Sequence, residues 1–333
     1  MRPTFSIIFF TLASGAGYGL WFLMGLDLMV GPTCGARGAA DASGVTLQLC
    51  MNALADPYAL YVGFVLVTAG LLSSLGHLGK PLRAWRALSQ WRSSWLSREG
   101  VAALLTYVPI VIVAAYPLLP SSSSMDGALR AAGAAIASGA FATVYCTAHI
   151  YSSLKPVRAW HNRYVTPAYL LFALYSGLLW LWALSTLPYG QMRASVATAM
   201  LAALALVGGV CAALKIAYWR DIDAPPAPLA GSATGLDAIG AVRPFEAPHT
   251  EENYLTHEMG FVLARAHSRK LRMIALLCAF CVPILLAASA LLLPAAGRVL
   301  AWPALAFGVL GLIVERWLFF AEARHAVIAY YGR

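Results

Sequence analysis

Eight long stretches of this chain are continuously apolar, with no alternation of polar and apolar positions inside them. They run over residues 5–30, 58–76, 99–119, 129–151, 168–187, 194–216, 272–293 and 297–320. Each supplies roughly the 20 helical residues needed to cross a hydrocarbon layer about 30 Å thick. A barrel strand would alternate polar and apolar residues over about ten positions, whereas a helix satisfies its own backbone hydrogen bonds in lipid. The pattern therefore predicts an all-α, polytopic bundle of eight transmembrane helices forming one integral membrane domain, residues 1–333. The first stretch opens after Met1 and Arg2 like a signal peptide, but its apolar run is too long for one and reads as a retained helix.

Composition agrees: 60% of the 333 residues are hydrophobic and 11% charged, with a mean hydropathy of +0.71. The charges that remain are sorted by side. Of 23 Lys and Arg residues, nineteen fall at the N-terminus, between spans 2 and 3, 4 and 5, or 6 and 7, or around the end of span 8. Arg37, Arg130, Arg193 and Arg298 fall on the other side. The positive-inside rule makes the rich face and both termini cytoplasmic, which suits a bacterial inner membrane. The net charge of +9 is then mainly a topological signal and calls for no nucleic-acid partner.

The loop at 217–271 is the one long soluble segment. Its first part is rich in Pro, Gly and Ala and reads as irregular. An amphipathic helix is expected near 250–271, with Thr250 as N-cap, Glu251 and Glu252 in its first turn, and Arg269, Lys270 and Arg272 at its end. It either covers the bundle or meets a partner. Cys34 and Cys50 lie in the first non-cytoplasmic loop, where a disulfide is permitted but two free thiols are equally compatible. Cys278 and Cys281, in "CAFC" within span 7, have redox or metal spacing; without a second pair they read as buried inert thiols, and no metal site is expected.

One six-letter phrase occurs twice on the basic face, as "KPLRAW" at 80–85 and "KPVRAW" at 155–160. Each follows a helix and a nearby His, and Lys-Pro stops the incoming helix. Snorkelling cations and interfacial Trp account for much of this, and duplication of a helix-loop-helix unit would account for the repeat. The first copy carries more than topology needs. Within "HLGKPLRAWRALSQWRSSWLSREG" (77–100) it offers His77, Lys80, Arg83, Arg86, Arg92 and Arg98, then Glu99 at the edge of an apolar span. Glu99 either complements the helix dipole, pairs with Arg98, or serves chemistry, since an ionisable group at that depth is costly. A carboxyl, an imidazole and a guanidinium at interface depth suit a quinone head group: Arg or His hydrogen-bonds its carbonyl, and His and Glu exchange protons with it. Further along, Glu315 and Arg316 lie inside or at the edge of span 8. They call for a partner on another helix, as a structural ion pair or as part of a proton route.

These strings, together with "HIYSSLKPVRAWHNRYVTP" (149–167), resemble the DmsC family of membrane anchors in DMSO reductase-type complexes. The late strings "EENYLTHEMGFVLARAHSRKLR" and "VERWLFFAEARHAVIAYYG" resemble its sulfite-dehydrogenase-type (SoeC-like) branch. The resemblance implies an anchor for a molybdopterin catalytic subunit and an electron-transfer subunit with four [4Fe-4S] clusters. It also implies a quinone site (ubiquinone or menaquinone) in the anchor itself, without haem. Family positions shaping that site fall on His77, Gly79, Arg83 and Glu99, with Trp85 as the aromatic after Arg-Ala. His77 and Glu99 are the expected catalytic pair, and Lys80, Arg86, Arg92, Lys155 and Arg158 the expected docking cations. On this reading electrons pass from sulfite, through the soluble subunits on the cytoplasmic face, to quinone. The same anchor serves a reductase that oxidises menaquinol. Two other classes fit the residues less closely: a b-haem cytochrome ligated by His77 and His149, and a secondary transporter, which would need ionisable groups near the midplane.

Overall fold

The computed structural model describes residues 4–30, 57–76, 80–116, 124–187, 194–224 and 267–326, with isolated positions between 231 and 246. Eight helices are long and apolar enough to span a membrane. They are α1 (Phe5–Val30), α2 (Pro57–Leu75), α3 (Trp95–Ala115), α4 (Ser124–Ser152), α5 (Val165–Ser185), α6 (Ala194–Asp223), α7 (Ser268–Leu292) and α8 (Gly297–Ala321). Among the described residues there is no β-strand. A 3-10 helix, Pro81–Gln90, lies between α2 and α3.

The two most enclosed helices, α1 and α5, form the middle of the bundle. α1 packs on α2, α4 and α5; α3 leans on α4; and α6, α7 and α8 close the far side against α5. The α1–α5 crossing depends on small residues. A Cβ at Gly19 would fall on the Ala173 carbonyl and one at Gly177 on the backbone of Gly19 and Leu20. In lipid, where burial of apolar surface does not drive helices together, such close backbone approach is a main source of association.

Two departures from the sequence expectation have physical causes. α6 runs to Asp223, seven residues past the expected end at 216, because Arg158 donates to the carbonyls of Asp221 (3.0 Å) and Ala224 (2.9 Å) and so caps its C-terminus. At 30 residues it is about 45 Å long, more than the hydrocarbon requires, and Lys215 comes to lie inside the bundle. Near the "CAFC" string, α7 contains a π-turn, Leu277–Cys281. Pro283 has no N–H for the Ala279 carbonyl four residues earlier. The Tyr175 hydroxyl of α5 donates to that carbonyl instead, at 2.6 Å. Cys281 is exposed and Cys278 half-buried on the outside of the bundle, so the expectation of buried thiols is wrong there.

Arg269, Lys270 and Arg272 belong to α7, which opens at Ser268, and do not terminate a preceding helix. Residues 250–266, most of the expected amphipathic helix, lie outside the described residues, as do Cys34 and Cys50.

Substituting Gly19 by Val should abolish recovery of folded protein in detergent. Gly15→Ala should be tolerated, because a Cβ there meets nothing within 4 Å. Size-exclusion profiles of the two variants check this.

Candidate functional site

The two copies of the repeated phrase have opposite environments. In the second, Trp160 is only 4% exposed, donates its indole N–H to the Phe319 carbonyl at 3.1 Å, stacks on Phe319 and meets Tyr151 edge-on. Val157 forms an isolated bridge with His325, and Arg158 caps α6. That copy ties the α4–α5 turn to the ends of α6 and α8; its Lys155 is exposed.

The first copy forms the 3-10 helix, which buries no residue. Leu82, Trp85 and Trp91 are 93%, 67% and 52% exposed. Lys80, Arg83, Arg86 and Arg92 are exposed as well. Arg86 stands 5.6 Å from the Trp85 ring and Arg92 5.6 Å from the Trp91 ring. The segment is held to the bundle by Ser97, whose hydroxyl donates to the Ala87 carbonyl at 2.5 Å, and by Arg98. The Arg98 guanidinium donates to the carbonyls of Trp91 (3.0 Å) and Arg92 (2.6 Å) and lies over Trp95. Arg98 is thus committed to the 3-10 segment and forms no ion pair with Glu99.

Glu99 points the other way. Ser94 caps α3 by accepting from the Ser97 amide, which starts the helix four residues before the expected position and places Glu99 in its second turn. Glu99 is 4% exposed. Thr147 of α4 donates to its Oε1 at 2.5 Å and also reaches the Thr143 carbonyl at 3.0 Å. Thr147 has one hydroxyl proton. When that proton goes to the carboxylate, Thr147 stabilises the ionised form; when it goes to the Thr143 carbonyl, the carboxyl itself can donate to Thr147. The contact accommodates both protonation states, as an acid-base group needs. Sequence reasoning missed Thr147, which in a helix looks like any residue bonding back to its own backbone.

His77 and Gly79 lie outside the described residues. Among the described residues Arg83 makes no hydrogen bond or ion pair with Glu99. The structure therefore brings Glu99 together with Thr147, and sets Arg83, Trp85 and the docking cations on the exposed segment that leads into α3. His149 sits half-buried, with its ring 4.6 Å from Trp95 and 4.1 Å from Tyr145 and its Nδ1 on the Tyr145 carbonyl.

A second cluster lies deeper in the same end of the bundle. Glu315 is fully buried between Lys215 of α6 (2.5 Å) and Arg316 (2.5 Å to Nε). The interhelical partner expected for Glu315 is thus Lys215, and both Lys215 and Arg316 had counted among the nineteen cations of the rich face; the charge bias survives their removal. One carboxylate faces two cations, and aromatic faces take up the remaining charge. Lys215 lies 4.0 Å from the Tyr218 ring and 5.0 Å from Trp219; Arg316 lies 4.6 Å from Tyr169 and 4.9 Å from Phe319. Nearer the surface, Arg272 bridges Asp223 and Glu322. Burial pushes the Glu322 carboxyl up from its ordinary range, against the pull of Arg272.

The chain matches a known family model over nearly its whole length. The model for the DMSO reductase anchor subunit (DmsC) covers residues 1–320. The chain belongs to the DmsC family. This DmsC protein is also similar to a sulfite dehydrogenase subunit from Allochromatium vinosum, with 30% identity over 350 residues and 99% of each chain covered.

Glu315→Gln leaves two buried cations without a counter-charge and should cost about 3–5 kcal/mol. Lys215→Met should cost less, since Arg316 keeps its carboxylate. Thermal unfolding in a single detergent ranks the two.

Proposed function

We propose that this chain is the quinone-reactive anchor of a molybdenum and iron-sulfur oxidoreductase. It would pass electrons between the terminal [4Fe-4S] cluster of a four-cluster partner and the membrane quinone pool, and would be inactive without its partners. The observation that carries this reading is Glu99: a carboxyl enclosed at the membrane edge, hydrogen-bonded by Thr147 in a manner that suits either protonation state, directly behind an exposed cationic-aromatic segment. Reduction of a quinone consumes two electrons and two protons. The electrons come from the partner, and Glu99, with His77, supplies protons to the head-group oxygens. Trp85 offers the ring a face, and Arg83 offers a carbonyl a donor.

The exposed Lys80, Arg86 and Arg92 support docking of the soluble electron-transfer and molybdopterin subunits here, with Lys155 at the margin. Arg158 contributes through the fold, because its donors already cap α6. The charge bias supports a cytoplasmic position for this face in the inner membrane. The name of the Allochromatium relative supports sulfite as the electron source. The family's own description favours a second reading, in which electrons run from menaquinol to a reductase through the same residues.

In the purified complex, Glu99→Gln should lower quinone-coupled turnover about 10²-fold or more while turnover with a dye that accepts electrons from the soluble subunits stays unchanged. Equal loss of both activities would show an assembly role, and retention of both would remove Glu99 from the quinone reaction. Replacing Arg86 and Arg92 by Glu should release the soluble subunits from membranes at lower salt than in the parent, as read by sedimentation.

A further inference from the structure

Thr147, which holds Glu99, also borders a cavity of about 30 Å³ between α1, α4, α5 and α8. Tyr18, Tyr169 and Arg316 border it as well. The hydroxyls of Tyr18 and Tyr169 are buried, the residues being 2% and 6% exposed, and neither forms a hydrogen bond of ordinary geometry, although Thr143 and Arg316 stand beside them. The hydroxyls of Ser14 and Ser176, also on the wall, donate to carbonyls of their own helices. Their lone pairs remain available as acceptors.

Size and polarity decide what fits. A water molecule needs roughly 10–15 Å³ measured this way, together with two to four polar partners, so the cavity has room for about two. A quinone ring needs a pocket on the order of 300 Å³. Buried hydroxyls without a protein partner are ordinarily satisfied by internal water.

We propose that this cavity holds about two internal water molecules, and that they supply protons through Thr147 to the Glu99 carboxyl, with the Arg316 guanidinium on the opposite wall. Glu99 gives its proton to a reduced quinone oxygen and becomes a carboxylate. Thr147 passes its hydroxyl proton to that carboxylate and takes one from the adjacent water, which recovers its proton from solvent water exchanging with the cavity. No electron moves along this route. The consequence for turnover rests on the reading of Glu99 as the quinone acid; hydration of the cavity does not.

Gly15 borders the cavity, and a Cβ placed on it meets nothing within 4 Å. Gly15→Val therefore adds apolar bulk without removing a polar group. In the intact complex, an electron-microscopy map sharp enough to show water should contain density within hydrogen-bonding distance of the Tyr18 and Tyr169 hydroxyls, and Gly15→Val should lose it. The same variant should slow quinone-coupled turnover and proton uptake about tenfold or more, with dye-coupled turnover unchanged. Tyr169→Phe, which removes one partner of the water, provides the second test if Gly15→Val does not fold, and should slow both in the same sense. A dry cavity in the parent protein, or full quinone activity in a variant that has lost the water, would overturn the proposal. Water in place with an inert Glu99→Gln would instead support hydration and sink only the assignment of Glu99 to the quinone.

Discussion

A carboxylate held between two cations inside an apolar bundle is the constraint around which this end of the molecule is organised. Removing three charges from water costs several kcal/mol per ion, and only close pairing and further contacts offset it. Glu315 takes Lys215 from α6 and Arg316 from its own helix. Two cations against one anion leave a surplus, and the rings of Tyr169, Tyr218, Trp219 and Phe319 surround it. Those rings come from α5, α6 and α8. The register of three helices is thereby fixed by a single charge-neutralisation problem. Trp160 then docks on Phe319 from the α4–α5 turn, which extends the same order to a fourth helix.

The repeated phrase shows how far a short motif is subordinate to its surroundings. In the second copy Pro156 follows the end of α4 at Ser152, for a reason local to proline, while in the first Pro81 opens the 3-10 helix. Beyond that the copies diverge. The second folds against the ends of α6 and α8, where an indole N–H finds the Phe319 carbonyl and a guanidinium finds the last carbonyls of a helix. Among the described residues no such acceptors face the first copy, and its Trp and Arg side chains stay outside. The exposed copy is therefore the one with unspent binding capacity, and Glu99 lies directly behind it.

The eight spans were readable because their signal is local: twenty apolar residues declare themselves without reference to any neighbour. Helix ends were less so. The N-terminus of α3 moved because Ser94 could cap it, and the C-terminus of α6 moved because Arg158, more than sixty residues away in sequence, could cap that. Pairings were least readable. Glu99 and Thr147 are 48 residues apart, Lys215 and Glu315 a hundred, and nothing in either local pattern names the other member. Glu315 announced that it needed a partner; the choice of Lys215 depended on how α6 packs against α8, which sequence did not show. The π-turn in α7 is a milder case, since Pro283 declares a lost donor but not that Tyr175 would replace it.

Glu99 stands at a boundary between two kinds of space. On one side is the exposed segment with its cations and aromatic faces, large enough in surface to meet a planar ligand or a protein. On the other is a cavity too small for any ring, whose largely apolar wall carries the hydroxyls of Thr147, Tyr18 and Tyr169. A carboxyl placed between a large wet or lipid-bounded surface and a small polar interior can take protons from one and give them to the other only if its contact permits both charge states. Thr147 meets that condition, because its single proton has two acceptors within reach. In the proposed route the surplus positive charge of the ion cluster beside the cavity opposes an excess proton resting in the water, and so favours transfer onward to the carboxylate.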